Sequence, residues 1–476
     1  MIFASPIFLF LFLPLTLAAY ALVPRRVKNA VLLVASLAFY VWGEGLYVAL
    51  VIGSVLANWG FGLAIGSATG VTRKRWLALA VTANLATLAV FKYGNFAFAN
   101  VNAIAPVMGI APFAVATIAL PLGISFFTFH AISYVVDVYK NNARAERSLP
   151  DFALYILLFP QLIAGPIIRW RDIADQLGAH AQRAADVAYG VRRFVLGLGK
   201  KVLIANTMGR VADQIFGLPG SELTTPLAWL GIVCYTLQIY FDFSGYSDMA
   251  IGLMRMFGFR ILENFNYPYV SRSIREFWRR WHISLSNWFR DYLYIPLGGN
   301  QRGNLRAYAN LVIVFLLCGL WHGASWPFVV WGIWHGVFLV LERAGFGRVL
   351  GRIGPLAHVY TLLAVMGGWV LFRCETFTQA MTYYAALMGH AGGDSARHPL
   401  AQYLDPYVAT TLVVAIVGAT PIARRIGAWR DRRAADGGVG GALVLTADTA
   451  WLLLVPVAAA AWLAAGTYNP FIYFRF

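Results

Sequence analysis

The sequence predicts an all-α integral membrane protein with about 11 transmembrane helices, and with re-entrant and interfacial helices around a central cavity. Residues of the set AVILMFWYC make up 59% of its 476 positions and charged residues only 12%, whereas a soluble domain has about 25% charged residues. Apolar runs recur along the whole chain, and basic residues cluster between them. These observations favour one multi-pass membrane domain over residues 1–476 rather than a soluble domain with an anchor.

The first apolar run predicts a transmembrane helix rather than a cleaved signal peptide. No basic region precedes the run from Met1 to Tyr20, whereas Arg25, Arg26 and Lys28 follow it. A signal peptide has the opposite flanks. We therefore expect the N-terminus outside and the Arg25 end of this helix in the cytosol.

Further runs reach or approach the roughly 20 apolar residues that span a bilayer. All the predicted spans fall near residues 5–24, 29–43, 46–66, 76–92, 113–137, 226–254, 305–321, 326–342, 357–375, 406–422 and 445–465. Basic stretches between them mark cytoplasmic loops, at Arg73 to Arg75, Lys140 to Arg147 and Arg424 to Arg433. The polar tract 389–404, which is poor in Lys and Arg, is expected outside.

The middle of the chain, about residues 139–305, combines proline breaks with many arginines. The breaks are Phe159-Pro160, Gly165-Pro166, Tyr267-Pro268 and Ile295-Pro296. Non-helical backbone at membrane depth is tolerated only where protein or a water-filled cavity surrounds it. This region therefore predicts re-entrant hairpins and helices on the cytoplasmic face around a cavity.

The net charge of +17 does not indicate a nucleic-acid partner, because the basic residues lie between apolar spans as in cytoplasmic loops. The cysteines Cys234, Cys318 and Cys374 lie in apolar stretches without metal or redox spacing, which favours apolar packing. No HExxH, paired CxxC or GxSxG string is present. The sequence thus predicts neither a metal site nor a serine hydrolase.

Two histidines are the main candidates for chemistry. His322 follows the uncharged run Ala307–Trp321 and precedes Gly323 and Pro327, which predicts a helix interrupted at membrane depth. Ionisable groups there are costly and by default mark a site, and the polar backbone of a broken helix can serve an oxyanion. His282 is the second candidate. For His130 and His335 the pattern favours structural roles, with His335 as a possible support for His322.

Around His282, arginines alternate with aromatic residues. This alternation is typical of an amphipathic helix at the cytoplasmic interface, and it also suits binding of a phosphorylated ligand; the two interpretations are compatible. The arginines are Arg275, Arg279, Arg280 and Arg290. A second polar patch, Asp242, Ser244, Tyr246, Ser247 and Asp248, lies within an apolar span and is either tunnel lining or structural hydrogen bonding.

These strings resemble the membrane-bound O-acyltransferase superfamily, most closely its bacterial alginate O-acetyltransferase branch. In that superfamily a catalytic histidine lies in an apolar span, with an Asn or His some tens of residues earlier in a WRxWN or WRxWH context. Here Trp281-His282 precedes Trp321-His322 by 40 positions. The resemblance extends over nearly the whole chain through PLGISFFTFHAISYVVDVY (121–139), FPQLIAGPIIRW (159–170), YFDFSGYSDMAIG (240–252) and the terminal NPFIYFRF.

The resemblance implies a bacterial inner-membrane enzyme with its catalytic core over residues 121–376, in which a central tunnel leads from the cytosol towards the outer face and contains the catalytic histidine. It implies no permanently bound cofactor, acetyl-coenzyme A (acetyl-CoA) as the acyl-donor substrate, and an extracytoplasmic polysaccharide O-acetyltransferase as partner. His322 is then expected to be the general base and His282 to position the substrates. The expected binding residues are Arg275, Arg279, Arg280, Arg290, Trp281, Trp321, Asp242, Ser244 and Asp248.

Two other functions stay open at this point. An acyltransferase of the same fold can act on peptidoglycan, a D-alanyl polymer or a lipid. Broken helices with buried polar groups also occur in transporters, although no internal repeat is visible in this sequence.

Overall fold

The structure, a computed structural model, describes residues 2–114, 116–178, 182–466 and 468–470. His180 and the last six residues of the NPFIYFRF string lie outside the described residues. Within them the secondary structure is entirely helical, and no strand occurs. The predicted all-α fold class is therefore confirmed.

The helices fall into two compact units, Met1–Val191 with Ala250–Leu262, and Arg192–Met249 with Glu263–Phe476. The first unit contains α1 Leu13–Leu22, α2 Lys28–Glu44, α3 Val48–Ser67, α4 Gly70–Leu88, α5 Gly94–Ile104, α6 Ile124–Tyr139, α7 Leu149–Leu157, α8 Phe159–Leu162 and α9 Trp170–Leu177. The chain continues from one unit to the other within α10 Ala184–Gly199 and α12 Thr225–Met256.

The second unit contains α11 Asn206–Phe216, α13 Ile274–Arg280, α14 Ile283–Phe289, α15 Gly303–His322, α16 Trp326–Leu341, α17 Gly347–Leu350, α18 Leu356–Arg373, α19 Phe377–Leu387, α20 Leu400–Tyr403, α21 Pro406–Gly418, α22 Ile422–Asp436 and α23 Gly438–Ala464. Short π-helical turns lie at Phe8–Phe12, Ala89–Tyr93, Lys200–Ala205, Arg290–Tyr294 and Glu342–Phe346, and 3₁₀ turns at Arg25–Val27, Gly45–Tyr47, Ala105–Met108 and Pro268–Val270. The single domain over 1–476 with its core over 121–376 stays a prediction.

Seven helical runs among the described residues are long and apolar enough to cross a membrane, or eight if α21 and α22, bent by 73°, form one span. This confirms a multi-pass membrane protein, whereas the predicted number of about 11 crossings is not confirmed. The predicted span at 113–137 begins too early: its helix starts at Ile124, after Gly123 with a left-handed φ of +76°.

Helix α6 forms the core of the first unit, because nearly all its side chains from Ile124 to Val138 are buried. It packs closely on α3, where a Cβ atom at Gly62 would lie 2.1 Å from the Tyr134 hydroxyl. Helices α3 and α4 are joined by a reciprocal amide pair, in which Asn58 and Asn84 each donate to the other's oxygen, at 3.1 and 2.7 Å.

In the second unit, α15 and α16 form a hairpin whose backbones touch. A Cβ atom at Gly319 would lie 2.3 Å from the Phe328 carbonyl oxygen, and one at Gly332 would lie 2.3 Å from that of Phe315. Only glycine permits such an approach. The hairpin therefore fixes the end of α15, where His322 lies.

A buried ion pair joins α12 to the π-helical turn Lys200–Ala205. Lys201 lies 2.7 Å from the Asp242 carboxylate, and both side chains are almost fully buried. Lys201 also donates to Asn206 at 3.0 Å and to the carbonyl oxygen of Pro470. Asn206 in turn donates to the Asn469 side chain at 3.1 Å. The charge of Lys201 is thus compensated by one carboxylate and two further oxygens.

Candidate active site

His322 is the last residue of α15. Gly323 continues in an extended conformation with φ of −157°, and α16 starts at Trp326, so the helix ends where the Gly and Pro pattern predicts. The imidazole is 7% exposed. Its ring centroid lies 4.9 Å from that of Trp321, 5.2 Å from that of Trp331 and 5.2 Å from that of Phe372. His322 therefore lies in an aromatic, largely dry environment.

His282 occupies a strained turn between α13 and α14. Its backbone is left-handed, with φ of 46° and ψ of 53°, a conformation that is uncommon outside glycine, asparagine and aspartate. The side chain is 1% exposed, and neither ring nitrogen has a hydrogen-bond partner among the described residues. His282 lies outside the candidate spans, and burial lowers its pKa to about 3. Its imidazole is therefore neutral near pH 7.

Asn264 holds this turn in place. Its backbone carbonyl accepts from the Ile283 N–H at 2.9 Å. Its side-chain oxygen accepts from the backbone N–H and the hydroxyl of Ser284, at 3.1 and 2.8 Å, and its amide donates to Ser247 at 3.0 Å. Asn264 is fully buried. Sequence reasoning missed it, and its place just before the Tyr267-Pro268 break is the only signal.

Trp321 links the two candidate histidines. Its ring centroid lies 6.3 Å from that of His282 and 4.9 Å from that of His322. Trp281, the other predicted tryptophan, packs on Trp369 at 5.0 Å instead. His282 and His322, which are 40 positions apart in sequence, thus both lie beside one indole ring, that of Trp321.

His335 belongs to the same aromatic cluster. Its ring lies 5.1 Å from Trp331 and from Trp278, and the Trp278 indole N–H donates to His335 Nδ1 at 3.4 Å. A Cβ atom at Gly368 would lie 2.7 Å from His335 Nε2. These contacts make His335 a buried partner of Trp278.

A cavity of about 960 Å³ opens beside these segments, within the range of cofactor-sized sites. Its lining includes five arginines, Arg275, Arg279, Arg290, Arg343 and Arg348, and one carboxylate, Glu342. Three of the four predicted arginines line it. Arg280 does not: it pairs with Glu276 at 2.9 Å and donates to the Asn266 carbonyl.

The apolar part of this cavity adjoins both histidine segments. Ile283, next to His282, lines it, and so does Cys318, which lies one helical turn before His322 on α15. Trp278 and Phe315 also contribute to the lining. The cavity is therefore lined both by arginines and by neighbours of the two histidines in sequence, whereas His282 and His322 themselves are not among its lining residues.

Glu342 organises the arginine-bearing helix α13. Its carboxylate accepts the backbone N–H groups of Ile274 at 2.6 Å and Arg275 at 3.0 Å, and the Tyr360 hydroxyl at 3.3 Å. Sequence reasoning missed Glu342, and it missed Arg343 and Arg348 as well. The available signal was a charged stretch directly after the span at 326–342.

The predicted residues of α12 do not line this cavity. Asp248 is held by Lys200 at 2.7 Å and by Arg193 at 2.6 Å, and Asp242 by Lys201. Ser244 is buried, and its hydroxyl has no hydrogen-bond partner among the described residues. Both carboxylates are thus compensated within the second unit, which favours structural roles for them.

The described residues contain no group of three or more His, Cys, Asp or Glu side chains arranged to hold a metal ion.

Comparison with known proteins finds an acyltransferase family and relatives that are named as acyltransferases. Residues 124–350 match the model of the membrane-bound O-acyltransferase family. The chain is 45% identical to a probable alginate O-acetylase of Pseudomonas putida, with 100% of both chains covered. It is 36% identical to a peptidoglycan O-acetyltransferase of Helicobacter pylori, over 82% of this chain and 80% of the relative. A teichoic acid D-alanyltransferase of Bacillus subtilis is 31% identical, over 46% of this chain and 58% of the relative.

Proposed function

The chain belongs to the membrane-bound O-acyltransferase family and is an acyltransferase, and from this we propose that it transfers acetyl groups from cytosolic acetyl-CoA towards an extracytoplasmic polysaccharide such as alginate. The observation that carries the proposal is the arginine-rich cavity, whose apolar lining adjoins the segments of His282 and His322. A donor with a polyanionic end and an acyl thioester end suits a cavity that is lined by both arginines and apolar side chains.

The arginines are the proposed binding groups for the phosphates of coenzyme A. Guanidinium groups bind phosphate oxygens in a bidentate manner and keep their charge at all relevant pH values. Arg275, Arg279 and Arg290 lie on α13 and just after α14, and Arg343 and Arg348 approach the cavity from the end of α16 and from α17. The donor is a substrate in this proposal, and no permanently bound cofactor is required.

His322 is the proposed general base. As the acceptor hydroxyl oxygen attacks the thioester carbonyl carbon, the imidazole takes the hydroxyl proton. The tetrahedral intermediate then collapses, the carbon–sulfur bond breaks, and the coenzyme A thiolate leaves and is protonated. Proton transfer of this kind contributes about 10²–10⁴-fold to the rate. Helix α16 begins four residues after His322, so its positive N-terminal end is available to the developing oxyanion.

His282 is proposed to position the thioester or the acceptor rather than to transfer the proton. Its unpartnered, buried ring nitrogens provide one donor and one acceptor in the neutral imidazole. Trp321, which contacts both histidine rings, is proposed to line the path between them.

The acceptor side of the proposal is supported by the names of the relatives. The probable alginate O-acetylase of Pseudomonas putida aligns over its full length, which favours an enzyme of the bacterial inner membrane that serves an extracytoplasmic polysaccharide acceptor. An extracytoplasmic O-acetyltransferase is proposed as the partner that completes transfer to the polymer. The second candidate is peptidoglycan, which the 36% identical Helicobacter pylori relative favours.

Gene replacement separates these acceptors. The chain would replace the alginate O-acetylase in Pseudomonas putida and, separately, the peptidoglycan O-acetyltransferase in Helicobacter pylori, with polymer O-acetyl content measured by NMR. We expect restored acetylation of alginate and not of peptidoglycan, with His322→Ala inactive in both hosts. Restoration of peptidoglycan acetylation alone would contradict the assignment of alginate and favour peptidoglycan as the acceptor.

A complementary assay tests the donor. The purified chain in detergent would be supplied with acetyl-CoA, and release of the free thiol measured with and without the periplasmic fraction of the alginate host. Thiol release that requires this fraction supports a partner. Consumption of acetyl phosphate with release of inorganic phosphate, and no thiol release from acetyl-CoA, would contradict the donor assignment.

A further inference from the structure

Helix α22 (Ile422–Asp436) presents an exposed apolar stripe beside unpaired arginines. We propose that this helix is a docking surface for anionic phospholipid, with Ile422, Ile426 and Trp429 in the bilayer interface and Arg425 and Arg432 on the phosphate groups. This inference does not depend on the acyl donor or acceptor, because α22 contributes no residue to the arginine-rich cavity.

The apolar stripe follows helical spacing. Ile422, Ile426 and Trp429 lie at positions i, i+4 and i+7, so they share one side of α22. Their exposed fractions are 41%, 58% and 50%. A helix that exposes isoleucine and tryptophan on one side next to cationic side chains is typical of insertion into a membrane interface.

The charge of α22 is asymmetric as well. The helix carries five arginines and two aspartates. Arg430 forms ion pairs within the second unit, because its guanidinium lies 2.9 Å from the Asp448 carboxylate and 2.7 Å from that of Asp431. Arg425 and Arg432 are both exposed, and no carboxylate of the described residues lies within ion-pair distance of either. They are seven residues apart, which is about 10 Å along one side of a helix.

The attachment of α22 determines its orientation. It turns by 73° from the apolar helix α21, so the two helices do not run in the same direction. Arg430 ties α22 to Asp448 of α23, and Asp448 also pairs with Arg192. Arg430 therefore holds α22 against the protein, whereas the apolar stripe, Arg425 and Arg432 remain exposed and are left to an external partner.

A lipid fits this surface better than a nucleic acid does. The apolar stripe requires a partner with hydrocarbon, and the adjacent guanidinium groups require an anion. An anionic phospholipid supplies both in one molecule, and each basic residue near such a surface adds roughly fivefold to the affinity. A nucleic acid would leave the three exposed apolar side chains uncovered.

The test uses the full chain reconstituted in phosphatidylcholine vesicles. Trp429 emission is isolated as the difference between the wild type and Trp429→Phe, and it is quenched with brominated phosphatidylglycerol or with brominated phosphatidylcholine. We expect half-maximal quenching at a mole fraction at least fivefold lower for phosphatidylglycerol. In Arg425→Gln/Arg432→Gln the two curves should converge, in Arg425→Lys/Arg432→Lys they should remain apart, and Lys74→Gln/Arg75→Gln, which removes an exposed basic pair on α4, should match the wild type.

If an arginine variant fails to fold, the comparison of the two lipids with the wild type and Trp429→Phe decides the proposal. Equal quenching by the two lipids, or no quenching of Trp429 by either, would overturn it. Loss of the phosphatidylglycerol preference in the Lys74 and Arg75 control would also overturn it, because general surface charge would then explain the preference. Displacement of Trp429 from the lipid by an RNA oligonucleotide at equimolar concentration would assign the surface to nucleic acid instead.

Discussion

The Glu342 carboxylate accepts the backbone N–H of Arg275 at 3.0 Å, across 67 positions of sequence. The same carboxylate accepts the N–H of Ile274. Because the first N–H groups of a helix have no partner within it, Glu342 caps α13 from outside. The helix that carries Arg275 and Arg279 is thereby fixed to the end of α16.

Glu342→Ala should therefore misplace the arginines of α13. We expect a higher KM for the acyl donor with a smaller change in kcat, and a loss of stability of about 1 kcal/mol, as for loss of a helix cap. Glu342→Gln keeps one acceptor oxygen and should be intermediate. Steady-state kinetics and thermal unfolding in one detergent measure both effects. An unchanged KM in the alanine variant would mean that the cap does not position the donor site.

Arg275→Gln and Arg279→Gln should each raise the KM for acetyl-CoA by about tenfold, since a hydrogen bond to a charged group contributes about 1.5–3 kcal/mol. The matched control is Arg280→Gln, because Arg280 lies on the same helix but pairs with Glu276 outside the cavity. Donor titrations of thiol release measure the three KM values. Equal increases in all three variants would argue for general loss of positive charge.

His322→Ala should lower kcat by about 10²–10⁴-fold, because a general base acts in the transition state. His390→Ala is the control: His390 is exposed and distant in sequence from the aromatic cluster. Thiol release at saturating acetyl-CoA is the readout. A variant that keeps full turnover would remove His322 from the proposed mechanism and leave His282 as the next substitution.

Substitution of His282 should separate positioning from backbone strain. Asparagine tolerates the left-handed conformation and retains a donor and an acceptor, whereas alanine does neither. We expect His282→Asn to keep a measurable part of the activity and His282→Ala to lose at least tenfold. If alanine and asparagine behave alike, hydrogen bonding by this side chain is not used.

The pH dependence of stability provides a second test of His282. Burial lowers its pKa to about 3 in the folded protein, while the unfolded chain takes up the proton near pH 6.5. Between these two pH values the unfolded state binds more protons than the folded state does, so the free energy of unfolding falls as the pH decreases. From pH 6.5 to 5 the wild type should lose about 2 kcal/mol more than His282→Asn, measured by thermal unfolding. Parallel pH profiles would mean that the imidazole is solvated.

Gly319→Ala should damage the hairpin that holds His322. The added Cβ atom would lie 2.3 Å from the Phe328 carbonyl oxygen, so α15 and α16 must separate. Gly427→Ala adds the same methyl group to α22, where no atom lies within 4 Å, and should be neutral or slightly stabilising. Unfolding temperature and kcat measure both variants. A fully active, stable Gly319→Ala protein would show that the close approach is dispensable.

The local features of this chain were predictable, and the long-range ones were not. The Gly323 and Pro327 signals predict the end of α15 at His322, and the alternation around Arg275 and Arg279 predicts the basic part of the cavity. Glu342 and Asn264 act through hydrogen bonds to residues 67 and 20 positions away. Hydrophobic periodicity along the sequence does not indicate contacts between residues so far apart, so only the structure reveals these hydrogen bonds.

The carboxylates of α12 gave a clear signal in the sequence, but their partners could not be predicted from it. Asp242 and Asp248 stand out in the sequence because charges at membrane depth need partners. Their partners, Lys201 and Lys200, lie 41 and 48 positions earlier, in a stretch that the sequence does not connect to them. A conspicuous pair of charges thus proves to be internally compensated and away from the cavity.

The contacts of Lys201 and Asn206 with Pro470 and Asn469 bear on how the protein is made. Asn206 can form its hydrogen bond to Asn469 only after that residue has been synthesised, 263 positions later. At typical translation rates this interval is on the order of tens of seconds. Until then the polar groups beside Asp242 lack part of their hydrogen bonding inside the nascent membrane segment. Biogenesis of this half of the protein therefore finishes after translation of residue 470, and a stalled or prematurely stopped chain would present an unfinished core to membrane quality control.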